Sequence, residues 1–358
     1  MDVESPVPDR ITKMIASDIQ SAGQLMLIDK KKSSKKVLRT NRRNTRSFEK
    51  RLNQLWGTPF RLLELFMELS LESGADFNAS VCSEAEKNDD LVFWVLCRLH
   101  GRACRIAQEM LTLMRRGYAS GAFSRWRTLH EMAVVAFFIK MHGRDAAERY
   151  IQHDVIESSK AMDQYQKHCI KLGYEPYSKE QIEEAKKAQR TLVQKYDDEF
   201  KKDYGWAAKF VGNSNPTLSM LEKAVNLDHL RPYYKLASHD IHAGSKGIMF
   251  NLGLRRELNE EVIFAGPSNA GMAEPGQAAA MSLYQITVCL LSMSTYPRIE
   301  NLIMLEALEL LEDEVCNEFS QSHQRLEASI MMSGKPRIGK PRRTLLASLD
   351  AGDRHPPG

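Results

Sequence analysis

Residues Met132-Ala133-Val134-Val135-Ala136-Phe137-Phe138-Ile139 carry no polar side chain, and they follow directly on the charged stretch Ser124-Arg125-Trp126-Arg127-Thr128-Leu129-His130-Glu131. A helix that is apolar all round has no face to offer solvent, so other elements must enclose it. That requirement points to a chain built around a central helix. Arg127 and Glu131 stand four apart and therefore share a face at the mouth of this helix. Burying charges is costly unless they are paired, so the two form either a structural clamp or part of a polar site.

Helical spacing recurs along the chain, and strand signals are nearly absent. Phe48 to Ser73 places Leu52, Leu55, Trp56, Leu62, Leu63, Phe66 and Leu69 on helical repeats, with Pro59 expected to kink or break the run. Asp89 and Asp90 suit the start of a helix from about Leu91 to Arg116. Gly117 ends it, and Ser120 can cap a helix reaching about Met141. The connection between them is short, which predicts an antiparallel hairpin. Asp145 to Leu172 reads as a further helix, Glu180 to Lys201 as a charged one opened by Ser178, and Thr217 to Leu227 as a short one. Gly244 to Gln277, rich in Gly, Asn and Pro, is where short strands or an ordered loop can hide. Ala278 to Thr295 is apolar and small-residue-rich, hence core, and Ile299 to Ile330 forms a long acidic terminal helix. The fold class expected is all-α: a multi-helix bundle built on antiparallel helical hairpins, with flexible basic termini.

The chain of 358 residues has 43% apolar and 27% charged residues, as in soluble globular proteins. No apolar run approaches the roughly 20 residues that span a bilayer, so no membrane partner is expected. The N-terminus, acidic and with Pro before any apolar stretch, does not read as a secretory signal. Six scattered cysteines form no Cys-x-x-Cys pair, which argues for a reducing cytoplasm rather than a disulfide framework. Net charge is only +4, yet eleven Lys or Arg and one acid, Glu49, lie between Lys30 and Arg51. A second basic cluster, Lys335, Arg337, Lys340, Arg342 and Arg343, lies near the C-terminus. Such clusters attract RNA or another nucleic acid by neutralising phosphates, or serve simply as solvated arms. Residues 1–47 are thus expected as a basic, mostly flexible arm, 48–330 as a single all-helical domain, and 331–358 as a disordered basic tail rich in Pro and Gly.

His239-Asp240-Ile241-His242-Ala243-Gly244 is the second suggestive cluster. Two histidines three apart share a face on a helix, and the following Ala-Gly-Ser would end that helix beside them. A helix C-terminus favours protonated histidine, which suits a general acid or a phosphate contact; a helix cap is the plainer role. Two His-Asp dipeptides, His153-Asp154 and His239-Asp240, raise a metal-dependent phosphohydrolase as a third possibility, with Glu131, His153, His239 and His242 converging on one ion. Nothing in their spacing requires this, and these motifs call for neither a metal nor a cofactor. Gly-x-Ser-x-Gly, phosphate-loop and dinucleotide fingerprints are all absent, which argues against an ATPase or dehydrogenase.

The stretch Ser124 to Glu131 opening an apolar helix resembles the Arg-x3-Glu signature of a bacterial all-helical family of unknown function. Ser238-His239-Asp240-Ile241-His242-Ala243-Gly244 resembles that family's later Ser-His-x-x-His-Gly-like segment. The resemblance covers about residues 50 to 300 and implies fold more than activity. More distantly, Arg125 to His130 is similar to the Arg-x4-6-His signature of the HEPN superfamily of helical ribonucleases and nucleotide-binding domains. That likeness implies metal-independent attack of a ribose 2′-OH on the neighbouring phosphate, in a toxin or phage-defence setting. His130 or His242 would move the proton, and Arg125 or Arg127 would stabilise the developing charge. The catalytic expectation is that Arg127, Glu131 and His242 line one polar cavity with Arg125, His130 and His239 near it. The alternative is a non-catalytic helical module, in either case with a possible homodimer, that binds a partner protein or nucleotide and uses Arg127–Glu131 as a structural pair.

Overall fold

The computed structural model describes residues 9–242, 244–249, 251–253 and 265–333. The chain divides into two compact units, Met1–Gln54 and Leu55–Gly358. Among the described residues there are helices and loops but no strand.

Helix α1 spans Asp9–Lys87. The N-terminal arm is helical from Asp9 onward. The physical reason is local: from Asp9 to Thr58 there is no proline, only Gly23 and Gly57 interrupt, and Lys, Arg, Leu and Met are good helix formers. Arg51 donates to the Ser47 hydroxyl at 2.9 Å across one turn of this first unit. The helix also runs on through Pro59, so the proline does not break it.

The second unit is organised on α2 (Leu91–Arg115) and α3 (Ala119–Gln152). The Asp90 carboxylate caps α2 by accepting from the Phe93 amide at 2.9 Å. The turn after α2 is tight: the amides of Gly117 and Tyr118 donate back to Met114 and Leu113 at 2.9 Å each. Asp89 pairs with Arg144 and Glu109 with Arg125, which makes α2 and α3 antiparallel, as the short loop predicts. Met132 to Ile139 sits at the centre, all buried except the half-buried Phe137. The expected end of this helix near Met141 appears instead as an interruption at Gly143 (φ 68°), with helix resuming to Gln152. The break that separates α3 from α4 (Asp154–Leu172) falls at His153.

Gly173 closes α4 in the left-handed region, and α5 (Lys179–Tyr196) opens with a capping box between Ser178 and Gln181. Short helices follow: α6 (Ala208–Val211), α7 (Leu218–Ala224), α8 (Arg231–Ser238) and α9 (Ser245–Met249). Helix α10 (Ala273–Leu291) packs against both α2 and α3, and α11 (Ile299–Ser333) packs on α10. Lys140 reaches from α3 to the Ser292 carbonyl at 3.2 Å, tying down the C-terminal end of α10.

Two glycines let large rings approach. A methyl group at Gly276 would overlap the Phe319 ring, which lies 6.1 Å from Trp56 and 6.0 Å from Phe60. One at Gly74 would overlap the imidazole of His100. The C-terminal basic tail expected over 331–358 lies outside the described residues from 334 onward.

Candidate functional site

Helix α3 turns Arg127, His130 and Glu131 toward α7 and α8, which bring Glu222, Arg231 and Tyr234. Glu222 lies at the middle: one oxygen meets His130 Nε2 at 3.0 Å, and the other accepts from Arg231 at 2.9 Å. Neither the His130 nor the Glu222 side chain reaches solvent. A parallel arrangement surrounds Tyr234. Arg127 donates to its hydroxyl at 2.5 Å, the hydroxyl donates to Glu131, and Arg127 stands 3.6 Å from that same carboxylate. The guanidinium carbons of Arg127 and Arg231 lie 4.4 and 5.1 Å from the centre of the Tyr234 ring.

Tyr204 completes the group. Burial pushes its phenol well above the ordinary tyrosine value, and the carboxylate of Glu131 adds to the shift. Tyr234 is raised by burial and then by its bond to Glu131. Two arginines face two glutamates, so the cluster has little net attraction for an anion. What it does chemically is hold α7 and α8 to α3 through paired, mostly desolvated charges. Arg127 Nε and His130 Nδ1 remain enclosed without a partner.

The other residues expected at this site lie elsewhere. Arg125 donates to Glu109 on α2 at 2.6 Å. It cannot join Arg127, because two residues of an α-helix rotate a side chain by about 200°. Arg125 and His130 point apart within the chain for the same reason, five residues giving about 140° of separation. His130 itself is sealed from any substrate by Glu222 and its surroundings. Helix α8 runs antiparallel to α3: Tyr234 meets Arg127 and Glu131, whereas Asp240 bonds Ser120 at the start of α3. That places the His239–His242 turn about 10 Å along the α3 axis from Arg127. His239 caps α8 and is half-buried, while His242 is exposed and makes no side-chain hydrogen bond among the described residues. A convergence of Glu131, His153, His239 and His242 is not formed either, since His153 donates to the Lys202 carbonyl at 2.8 Å. Among the described residues no group of three or more His, Cys, Asp or Glu is placed to hold a metal ion.

Sequence reasoning missed Glu222, Arg231, Tyr204 and Tyr234. Arg231 and Tyr234 are three apart on one helix face, and Glu222 is a lone carboxylate among Leu218, Leu221 and Leu227. Both are weak signals that become meaningful only once the partners on α3 are known.

A second feature belongs to the first unit. On α1, Lys31, Lys35, Arg39, Arg42, Arg46 and Lys50 form one file with Lys32, Lys36 and Arg43 beside it, and all are exposed. These residues fall within an arc of about 140° over roughly 28 Å of helix. The opposite side carries Ser33, Ser34, Asn41, Asn44 and Thr45 together with the apolar Val37 and Phe48.

Residues 93–261 match the profile of a family of unknown function (DUF5677), a segment that contains the α3–α7–α8 cluster but not the basic face of α1. No curated protein and no solved structure matches the chain. Among the described residues no helix is long and apolar enough to cross a membrane.

Proposed function

We propose that this chain is a nucleic-acid-binding helical protein that holds phosphate backbones along the basic face of α1, with the α3–α7–α8 cluster serving as a structural clasp. The observation that carries the reading is the sorting of cations on α1. Nine of the eleven Lys and Arg between Lys30 and Arg51 share one exposed face, although the sequence alone shows only that they are close together. A one-sided row of cations neutralises phosphates and releases their counterions, which is the main source of affinity for nucleic acid. A membrane-surface helix would need a broad apolar face opposite the charges. Between Lys31 and Lys50 that opposite side holds only Val37 and Phe48 among Ser, Asn and Thr, and the exposed apolar residues Ile15, Ile19 and Met26 of the same helix lie N-terminal to the cations.

Binding is better supported than ribonuclease cleavage. Arg125 is committed to Glu109, His130 is enclosed, and His242 stands apart from Arg127. The test is fluorescence anisotropy with a labelled RNA duplex and the full chain, wild type against Arg39→Gln/Arg42→Gln/Arg46→Gln. The triple variant should bind far more weakly while melting at the same temperature. Equal binding by the two proteins would refute the proposal. Incubation of the RNA with wild type and His242→Ala separates the alternative, since cleavage lost only in the variant would favour the enzyme reading.

A further inference from the structure

We infer that the solvent face of α2 is a single-strand contact, in which Trp94 stacks a nucleic-acid base and Arg98, Arg102 and Arg105 hold the neighbouring phosphates. This rests on the nucleic-acid reading and goes beyond it, adding on a different helix a second surface with its own ligand class. Trp94, Arg98, Arg102 and Arg105 follow one another at helical spacing and fall within an arc of about 80°. Each is exposed. Trp94 is 42% exposed, whereas Trp56, Trp126 and Trp206, the chain's other tryptophans, are 3% exposed or less. An indole left in water beside a row of arginines fits a π-surface waiting for a partner.

Arg98 donates to the Trp94 carbonyl at 3.2 Å and keeps its other donors for a ligand. Among the described residues no ion pair holds Arg98 or Arg102. Arg105 lies 3.8 Å from Glu109, but that carboxylate makes a closer contact of 2.6 Å with Arg125. The acids at the start of the helix are also committed, Asp90 to the Phe93 amide and Asp89 to Arg144. The Arg98 guanidinium lies 3.4 Å from the centre of the Trp94 ring and covers one side of it. Its counterpart on the other side can be a base, giving a stack of guanidinium, indole and base. Gly101, between Arg98 and Arg102, leaves open space where any side chain would project, so a strand can lie close to the helix there. Successive arginines stand about 5–6 Å apart at their Cβ atoms, which suits neighbouring phosphates of an extended strand. The charge and the single aromatic together favour a single-stranded nucleic acid over a duplex, whose bases are already stacked on one another.

The experiment reads tryptophan fluorescence of the full chain, because Trp94 is the one tryptophan that a ligand in solution can reach. Short oligouridine and oligothymidine of equal length are the probes, with a duplex of the same length as control. The single strands should quench the emission and the duplex should not; a difference between the two single strands shows whether RNA or DNA is preferred. Trp94→Ala should remove the quench and weaken single-strand binding about tenfold. Arg102→Gln/Arg105→Gln should lower the dependence of log affinity on log salt by about 1.4. The Arg39→Gln/Arg42→Gln/Arg46→Gln variant should keep the quench at saturating oligonucleotide, which separates this surface from the α1 face. Wild-type emission unmoved by either single strand, or a quench that survives in Trp94→Ala, would overturn the inference while leaving the α1 proposal standing.

Discussion

The imidazole of His130 and the carboxylate of Glu222 meet at 3.0 Å, and neither side chain reaches solvent. Glu222 also receives Arg231, so a single enclosed carboxylate joins α3, α7 and α8. Removing it strands two partners at once. Glu222→Ala should cost about 3–5 kcal/mol. Chemical denaturation is the measurement, and an unchanged midpoint would contradict the structural role.

Tyr234 makes the same point more gently. Its hydroxyl bridges Arg127 and Glu131, while its ring lies beneath two guanidinium groups. Tyr234→Phe keeps the ring and removes the bridge, which should lower stability by about 1–2 kcal/mol. Nucleic-acid affinity should stay as it was. A variant that melts normally but binds poorly would make this cluster a ligand site instead of a clasp.

His100 gives the fold a pH dependence of known sign. It packs against Gly74 and contacts the Thr287 hydroxyl at 3.1 Å, and burial pushes its pKa from the ordinary 6.5 down to about 4. The unfolded chain takes up a proton near pH 6.5, whereas the folded chain resists until near 4. Stability from this group is complete above about 6.5 and falls as pH drops toward 4, by an amount on the order of 3 kcal/mol. Denaturation at pH 7 and pH 4.5 should show a smaller acid loss in His100→Gln than in wild type. Equal losses would rule His100 out as a source.

Local features of the fold were readable in advance. The apolar run Met132 to Ile139 could only be central, Gly117 could only end a helix, and Ser178 could open the charged helix. The helix of the N-terminal arm was less legible, because it rests on helix propensity and the lack of proline rather than on an apolar repeat among residues 29–46. The Arg127–Glu131 pair was legible because it spans one turn. Its link to Tyr234 was not, since the two elements are more than a hundred residues apart in sequence. The place of His242 depends on geometry that spacing does not supply: α8 passes α3 in the opposite direction and carries the histidine beyond the cluster.

Salt dependence of binding tests the central claim most directly. Affinity of the full chain for a labelled RNA duplex is measured over a series of salt concentrations, for wild type and for Arg39→Gln/Arg42→Gln/Arg46→Gln. If the α1 face neutralises phosphates, log affinity falls linearly with log salt, and losing three contacts reduces the slope by about 2.7 if each neutralises one B-DNA-like phosphate. A wild-type affinity indifferent to salt, or parallel lines for the two proteins, would contradict the account.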